Sequence, residues 1–279
     1  MPTYVRLMNH LFSNALLTSL RTTSLLVGDL EQARSLDREL LGSLCLDTAL
    51  KLDQKLGHLY EDALRILLLQ SSQLELLDDH VQVFDADRVT IGEMDYILRD
   101  RNTGELIHLE LAVKFYLAVR EKGDWRFPGP DPRDNWQRKL ARLCDHQLQL
   151  SQRHESLALI AKRWQTSCVN VRQLIYGCLF YPMGESECPI PEGVQPDCRK
   201  GRWFYESEWD THFAEITQVR VIPKALWPVE ITDELRTSLL TKSVADLRAA
   251  SIQRCVMFIL PDSSIPYFLV PNNWQREMR

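Results

Sequence analysis

Two rhythms of apolar positions divide this chain. From residue 13 to 56, Leu16, Leu17, Leu20, Leu25, Leu26, Leu30, Leu36, Leu40, Leu41, Leu44, Leu50 and Leu56 recur at helix-like intervals, with Gly28 and Gly42 as bends. Gly57 to Gln70 carries a tighter helical stripe of Leu59, Tyr60, Ala63, Leu64 and Leu67. At Leu74 the period drops to two. Leu74 to Phe84 reads as a strand, and Gly92 to Leu117 reads as a hairpin whose arms alternate on either side of Asp100-Arg101-Asn102-Thr103-Gly104. Glu121 to Asp134 is rich in Gly, Pro and charge and is expected to be a loop. Asp134 or Asn135 then caps a helix that runs to about His154, breaks near Ser151 and resumes to Trp164. Val171 to Tyr181 is a buried strand ending at Pro182. A proline-rich loop follows, then strand-like pieces at 202–205, 219–222, 254–260 and 267–270, with a helix expected over 233–250. Helix, three strands, helix and strand in succession imply a mixed sheet with helices packed against it.

The hairpin carries the candidate chemistry. With Asn102 and Thr103 at the centre of the turn, residues whose numbers sum to 205 face each other, so Asp95 meets Glu110 and Glu93 meets Ala112. Opposed side chains in an antiparallel pair stand roughly 5 Å apart at Cβ, and like charges there repel unless a cation or proton lies between them. His108 and Lys114 share the face of Glu110. Glu61, with Leu64 and Leu68 as its helical neighbours, borders an apolar face where a carboxylate needs a partner. Gln147 sits in the apolar stripe of the later helix, and Arg138, Lys139 and Arg142 decorate that helix as a basic stripe able to track phosphates.

Composition narrows the setting. The chain has 279 residues, 45% hydrophobic and 25% charged, with a net charge of −5, so any contact with nucleic acid must use a local basic patch. No apolar run of about 18 residues predicts a membrane span. Seven scattered cysteines predict a reducing, cytoplasmic setting. No C-x-x-C pair, phosphate-binding glycine loop or nucleophile elbow occurs.

Asp95 in GEMDY, Glu110 and Lys114 in HLELAVKFYL, and His146-Gln147-Leu148 on the later helix carry a resemblance. The layout resembles the PD-(D/E)XK nuclease-like superfamily and, within it, an uncharacterised bacterial family. The resemblance implies an α/β (α+β) restriction-endonuclease-like fold with its α-β-β-β-α-β core over 57–181; the leucine pattern adds an N-terminal helical region (1–56), and the strand-like pieces add a C-terminal α/β extension of the same unit (182–279). It implies a metal-dependent nuclease that uses Mg²⁺ or Mn²⁺ to cleave phosphodiester bonds, in DNA before RNA. Asp95 and Glu110 would be metal ligands and Lys114 the catalytic lysine, with Glu61, Glu93, His108 and Gln147 in support and Arg138, Lys139 and Arg142 on the nucleic acid. The spacing departs from the superfamily pattern, which puts the lysine two residues after the acid. Here Ala112 holds that place, and at about 3.3 Å per residue Glu110 and Lys114 lie roughly 13 Å apart instead of about 7 Å. A catalytically inactive module that binds nucleic acid or a protein partner is the alternative.

Overall fold

The computed structural model describes residues 2–43, 49–185 and 188–274. Helix α1 (Pro2–Thr22) is followed by a two-residue strand β1 (Arg34–Ser35) and helix α2 (Leu56–Leu69). Strands β2 (Leu74–Phe84), β3 (Thr90–Asp100) and β4 (Leu106–Leu117) form a meander, and β5 (Val119–Glu121) pairs with β6 (Asp124–Arg126) beside it. Helices α3 (Trp136–Arg142) and α4 (His154–Trp164) lead to β7 (Val169–Pro182) and β8 (Lys200–Tyr205). The remainder is α5 (Trp209–Phe213), β9 (Gln218–Val221), α6 (Asp233–Ser238), β10 (Thr241–Ser243), α7 (Val244–Ser251), β11 (Val256–Ile259) and β12 (Tyr267–Val270).

Nine strands make one mixed sheet in the order β10-β9-β11-β12-β8-β7-β4-β3-β2, with β1 alongside β7. The expected α/β fold with a mixed central sheet and flanking helices is therefore present. The crossover through α3 and α4 makes β4 and β7 parallel, from Leu106↔Val169 to Leu117↔Phe180. Strands covered on both faces lose their alternation, and β7 accordingly runs buried from Gln173 to Tyr181. Gly177 is required there, because a Cβ would stand 1.7 Å from the Lys114 carbonyl oxygen. Strands β8 to β12 continue the same sheet beyond β7.

The hairpin register agrees with the sequence. Tyr96↔Leu109, Ile97↔His108, Leu98↔Ile107 and Arg99↔Leu106 each sum to 205. The turn is set by Asp100, whose Oδ1 accepts from the amides of Asn102 and Thr103, and by Gly104 at φ 75°. One face of the hairpin buries Tyr96, Leu98, Ile107 and Leu109 against α1 and α2. The other buries Ile97 and Leu106 against Leu150 and Ile160 of the α4 side, and this second face carries His108 and Glu110.

Three expectations need correction. The leucine rhythm over 13–56 is not all helix, since α1 ends at Thr22. Beyond it the chain runs along β7, where the Leu26 amide donates to the Ile175 carbonyl and the Leu36 amide to that of Gln173. Leu25, Leu36 and Leu41 are buried there without helical periodicity, because pairing with the sheet outweighs local propensity. Leu44 lies outside the described residues. The region 121–134 is not loop throughout, as Asp124–Arg126 pairs back onto Val119–Glu121 around Lys122 and Gly123, both at positive φ. The helix expected over 233–250 is two short helices, capped by Thr232 and by Ser243, with β10 between them adding an edge strand to β9.

Candidate carboxylate site between two strands

The ladder between β3 and β4 runs from Arg99 and Leu106 as far as Tyr96 and Leu109. Side chains take over at the next pair. The Leu111 amide donates to Asp95 Oδ2 at 2.8 Å, and the Asp95 amide lies close enough to the Glu110 carboxylate to favour its ionised form. Asp95 thus satisfies an amide of the opposite strand, and the two carboxylates are held as neighbours where the strands part. An unsatisfied amide at such a split would be costly, so this bond helps the sheet tolerate the break.

Glu110 is buried, and both its oxygens are engaged. Oε1 is 2.8 Å from His108 Nε2, and Oε2 accepts from Gln147 Nε2 at 3.0 Å. His108 is fully buried, with its Nδ1 3.0 Å from Ser151 Oγ. Lys139 Nζ donates to Gln147 Oε1 at 2.6 Å. A chain of contacts therefore runs from Ser151 through His108, Glu110 and Gln147 to Lys139. The turn 143–147 makes it possible. It is wound with i→i+5 bonds, the Leu148 amide donating to the Leu143 carbonyl. The extra residue in that turn brings Gln147 round to the side of the helix that carries Lys139. Turns of this kind interrupt α-helices most often where side chains must be re-aimed.

The electrostatics follow from burial. Burial is the largest influence raising Asp95 to about 8, and the neighbouring Glu110 adds to it against the opposing Leu111 amide. Glu110 is also raised to about 8 by burial, opposed by the Asp95 amide, Lys139 and Gln147. Burial lowers His108 to about 4, so its imidazole is neutral at physiological pH. Burial first, and then the Lys114 ammonium, lower Lys139. Two adjacent carboxylates held near protonation, with a partly desolvated ammonium beside them, make an acidic pair whose ionised form a further cation would stabilise. Among the described residues no three His, Cys, Asp or Glu side chains group as a metal-binding cluster. The donor set still fits Mg²⁺, which takes oxygen ligands, keeps several waters and binds through one or two carboxylates plus substrate phosphate. Oδ1 of Asp95 and the remaining lone pairs of Glu110 would be those donors.

A family model described as "Domain of unknown function (DUF1853)" matches residues 14–263. The chain belongs to this DUF1853 family. No curated protein and no solved structure matches it. The DUF1853 match spans the site and most of the sheet.

Of the residues singled out from sequence, Asp95, Glu110, His108, Gln147 and Lys139 come together. Lys139, expected on the nucleic-acid face, is turned inward to Gln147, while Arg138 and Arg142 remain exposed. Lys114 is not beside Glu110; its ammonium lies 2.7 Å from Asp134 Oδ2, at the end of the loop before α3. Glu61 is bonded to His58 at 2.9 Å, though its charge still acts on Asp95. Glu93 is exposed and bonded to His80 and Gln82. Ser151 and Asp134 were missed. The polar Ser151 beside an apolar Leu150 was the available signal for the first; none existed for the pairing of Asp134.

Proposed function

We propose that this protein is a metal-dependent nuclease that hydrolyses phosphodiester bonds in DNA, with Asp95 and Glu110 as ligands of Mg²⁺ or Mn²⁺. The observation that carries this reading is the pairing of the two acids, with Asp95 bonded to the opposite strand and both raised towards neutrality by burial. A divalent cation held there would stabilise charge on a phosphoryl oxygen and acidify an attacking water. Glu110 is oriented by His108 and Gln147, which fix both carboxylate oxygens. Lys139 supplies the ammonium at the site, close enough to Glu110 to lower its pKa and held by Gln147. An ammonium there favours developing negative charge on a phosphate. Arg138 and Arg142 present further positive charge along α3 to the backbone of the nucleic acid.

The test is cleavage of single- and double-stranded DNA and RNA with Mg²⁺, Mn²⁺ or EDTA. We expect metal-dependent cleavage in the wild type and a loss of about 10²–10³-fold in Asp95→Asn and in Glu110→Gln. Equal rates in wild type and both variants overturn the site. One observation favours a second reading, a nuclease-like module without activity: the lysine of β4 is tied to Asp134 instead of facing the acids. Salt-sensitive binding of DNA with no cleavage under any metal would establish that reading.

A further inference from the structure

A second concave site lies in the C-terminal half, in a pocket of about 780 Å³. Four basic side chains line it, Arg133, Lys224, Lys242 and Arg254, against one acid, Asp131. Asp131 is paired with Arg133. Lys224, Lys242 and Arg254 form no ion pair with a described residue. That sets them apart from the other arginines around them. Arg248 is bonded to Glu206 and Asp210, Arg236 to Asp233, and Arg199, Arg202 and Arg220 to backbone carbonyls. In a chain of net charge −5, three such cations converging on one concavity create a local positive potential.

The pocket also has an apolar wall. Ile252 is 66% exposed, and the half-buried Trp227 also lines the pocket, with the Lys224 ammonium 5.8 Å from its ring centroid. Positive charge beside apolar and aromatic surface is the combination that holds a single strand, with phosphates on the cations and bases on the rings. The volume lies within the range of small-ligand pockets, large enough for a nucleotide and too confined for a duplex.

One loop runs from the pocket to the Lys114 end of β4. The Pro130 carbonyl accepts from Trp274 Nε1 at 3.1 Å, and Pro130 to Arg133 line the pocket. Asp134, the next residue, holds Lys114. We propose that this pocket binds a phosphate-bearing single strand of nucleic acid, with Lys224, Lys242 and Arg254 on its phosphates and Ile252 and Trp227 against a base. Naming the strand as part of the nuclease's substrate rests on the function proposed above; the binding itself does not.

The experiment uses the full chain in EDTA and a fluorescently labelled oligothymidylate of about twelve nucleotides, within the span one such site covers. Anisotropy gives Kd as a function of salt for the wild type and for the triple variant Lys224→Glu, Lys242→Glu, Arg254→Glu. We expect Kd to weaken more than about tenfold, and the slope of log Kd against log salt to fall by about 2, as three lost phosphate contacts on a single strand require. An unchanged thermal midpoint in the variant shows that the effect is not unfolding. Absence of binding by the wild type, or equal Kd and equal slope in both proteins, overturns the pocket. Displacement of the strand by tripolyphosphate at equal phosphate concentration also overturns it, since phosphate alone would then be what is read. Cleavage with Mg²⁺ is measured separately. A strand lost by the triple variant from a protein that never cleaves leaves the pocket standing and the nuclease reading failed; cleavage with unaltered binding does the reverse.

Discussion

Glu110 and Lys114 stand four residues apart on one face of β4, and the two ends of that short stretch have different surroundings. At the Glu110 end the side chain is buried, both oxygens are bonded, and an opposed acid completes the pair across a split in the sheet. At the Lys114 end the ammonium reaches a loop carboxylate, and both partners are about a third exposed. The first is a costly arrangement that the fold holds in place by the Leu111 amide on Asp95 and a re-aimed glutamine on Glu110. The second is an ion pair of the kind that adds little to stability. Strained electrostatics at one end and ordinary electrostatics at the other point to the acids, with Lys139, as the chemical centre. The strand lysine belongs to the architecture of the loop.

The sharpest way to break that comparison is to remove each lysine in turn. Lys139→Ala is expected to lower the rate of metal-dependent cleavage by about 10²-fold, the usual loss when one preorganised cationic or hydrogen-bonding group is removed. Lys114→Ala is expected to lower it by less than about tenfold. Steady-state cleavage under saturating Mg²⁺ reads both. A larger loss in Lys114→Ala than in Lys139→Ala would reverse the assignment and return the strand lysine to the role implied by the resemblance.

How much of this was legible in the sequence depends on the range of the contacts involved. The hairpin register could be read from Asn102, Thr103 and Gly104, because turn chemistry and a period of two are local, and extending it by one pair brings Asp95 and Glu110 together as neighbours. The departure at Ala112 was equally visible. Partnerships that cross between elements were not. Asp134 meets Lys114 twenty residues away because the loop folds back with the Gly129 amide on the Asp134 carbonyl. Gln147 meets Lys139 only because one turn is wound with an extra residue, which a regular helical stripe cannot announce. The leucines after Thr22 misled for the same reason. Their spacing suits a helix, yet their amides find carbonyls on β7, 137 to 149 residues further along. In the C-terminal half, the pocket gathers Lys224 from the β9–α6 connection, Lys242 from β10 and Arg254 from the α7–β11 connection, with Pro130 to Arg133 from far upstream, so no short window of sequence contains it.

The pH dependence of stability sharpens the comparison at the acidic end. Asp95 and Glu110 have folded-state values near 8, well above those of an unfolded chain. Between pH 4 and 8 the folded protein therefore holds protons that the unfolded chain has released, and stability falls as pH rises through that window. His108 works in the opposite direction. Its folded value of about 4 lies below the unfolded one near 6.5, so its contribution rises with pH, but only up to about 6.5. From pH 6.5 to 8 the acids act alone. The thermal midpoint should drop by several degrees across that interval, and the drop should shrink in Asp95→Asn and in millimolar Mg²⁺, where a cation replaces the protons. A midpoint that stays level from pH 6.5 to 8 without metal would mean that the acids are not the strained end.

The smallest effect is expected at the other end, from Asp134→Asn. The substitution keeps the shape of the side chain and removes its charge. The pair it breaks is partly exposed, so the loss should lie within about 1 kcal/mol in denaturant unfolding. Its value lies in what happens to cleavage. Freed from Asp134, the Lys114 side chain can swing towards Ala112 and the acids. If Lys114 were the site's ammonium held in reserve, the variant would cleave faster than the wild type. If Lys139 fills that role, a second ammonium nearby adds repulsion to a lysine whose pKa Lys114 already lowers. The rate should then stay level or fall by no more than about threefold, a change of well under 1 kcal/mol in the barrier.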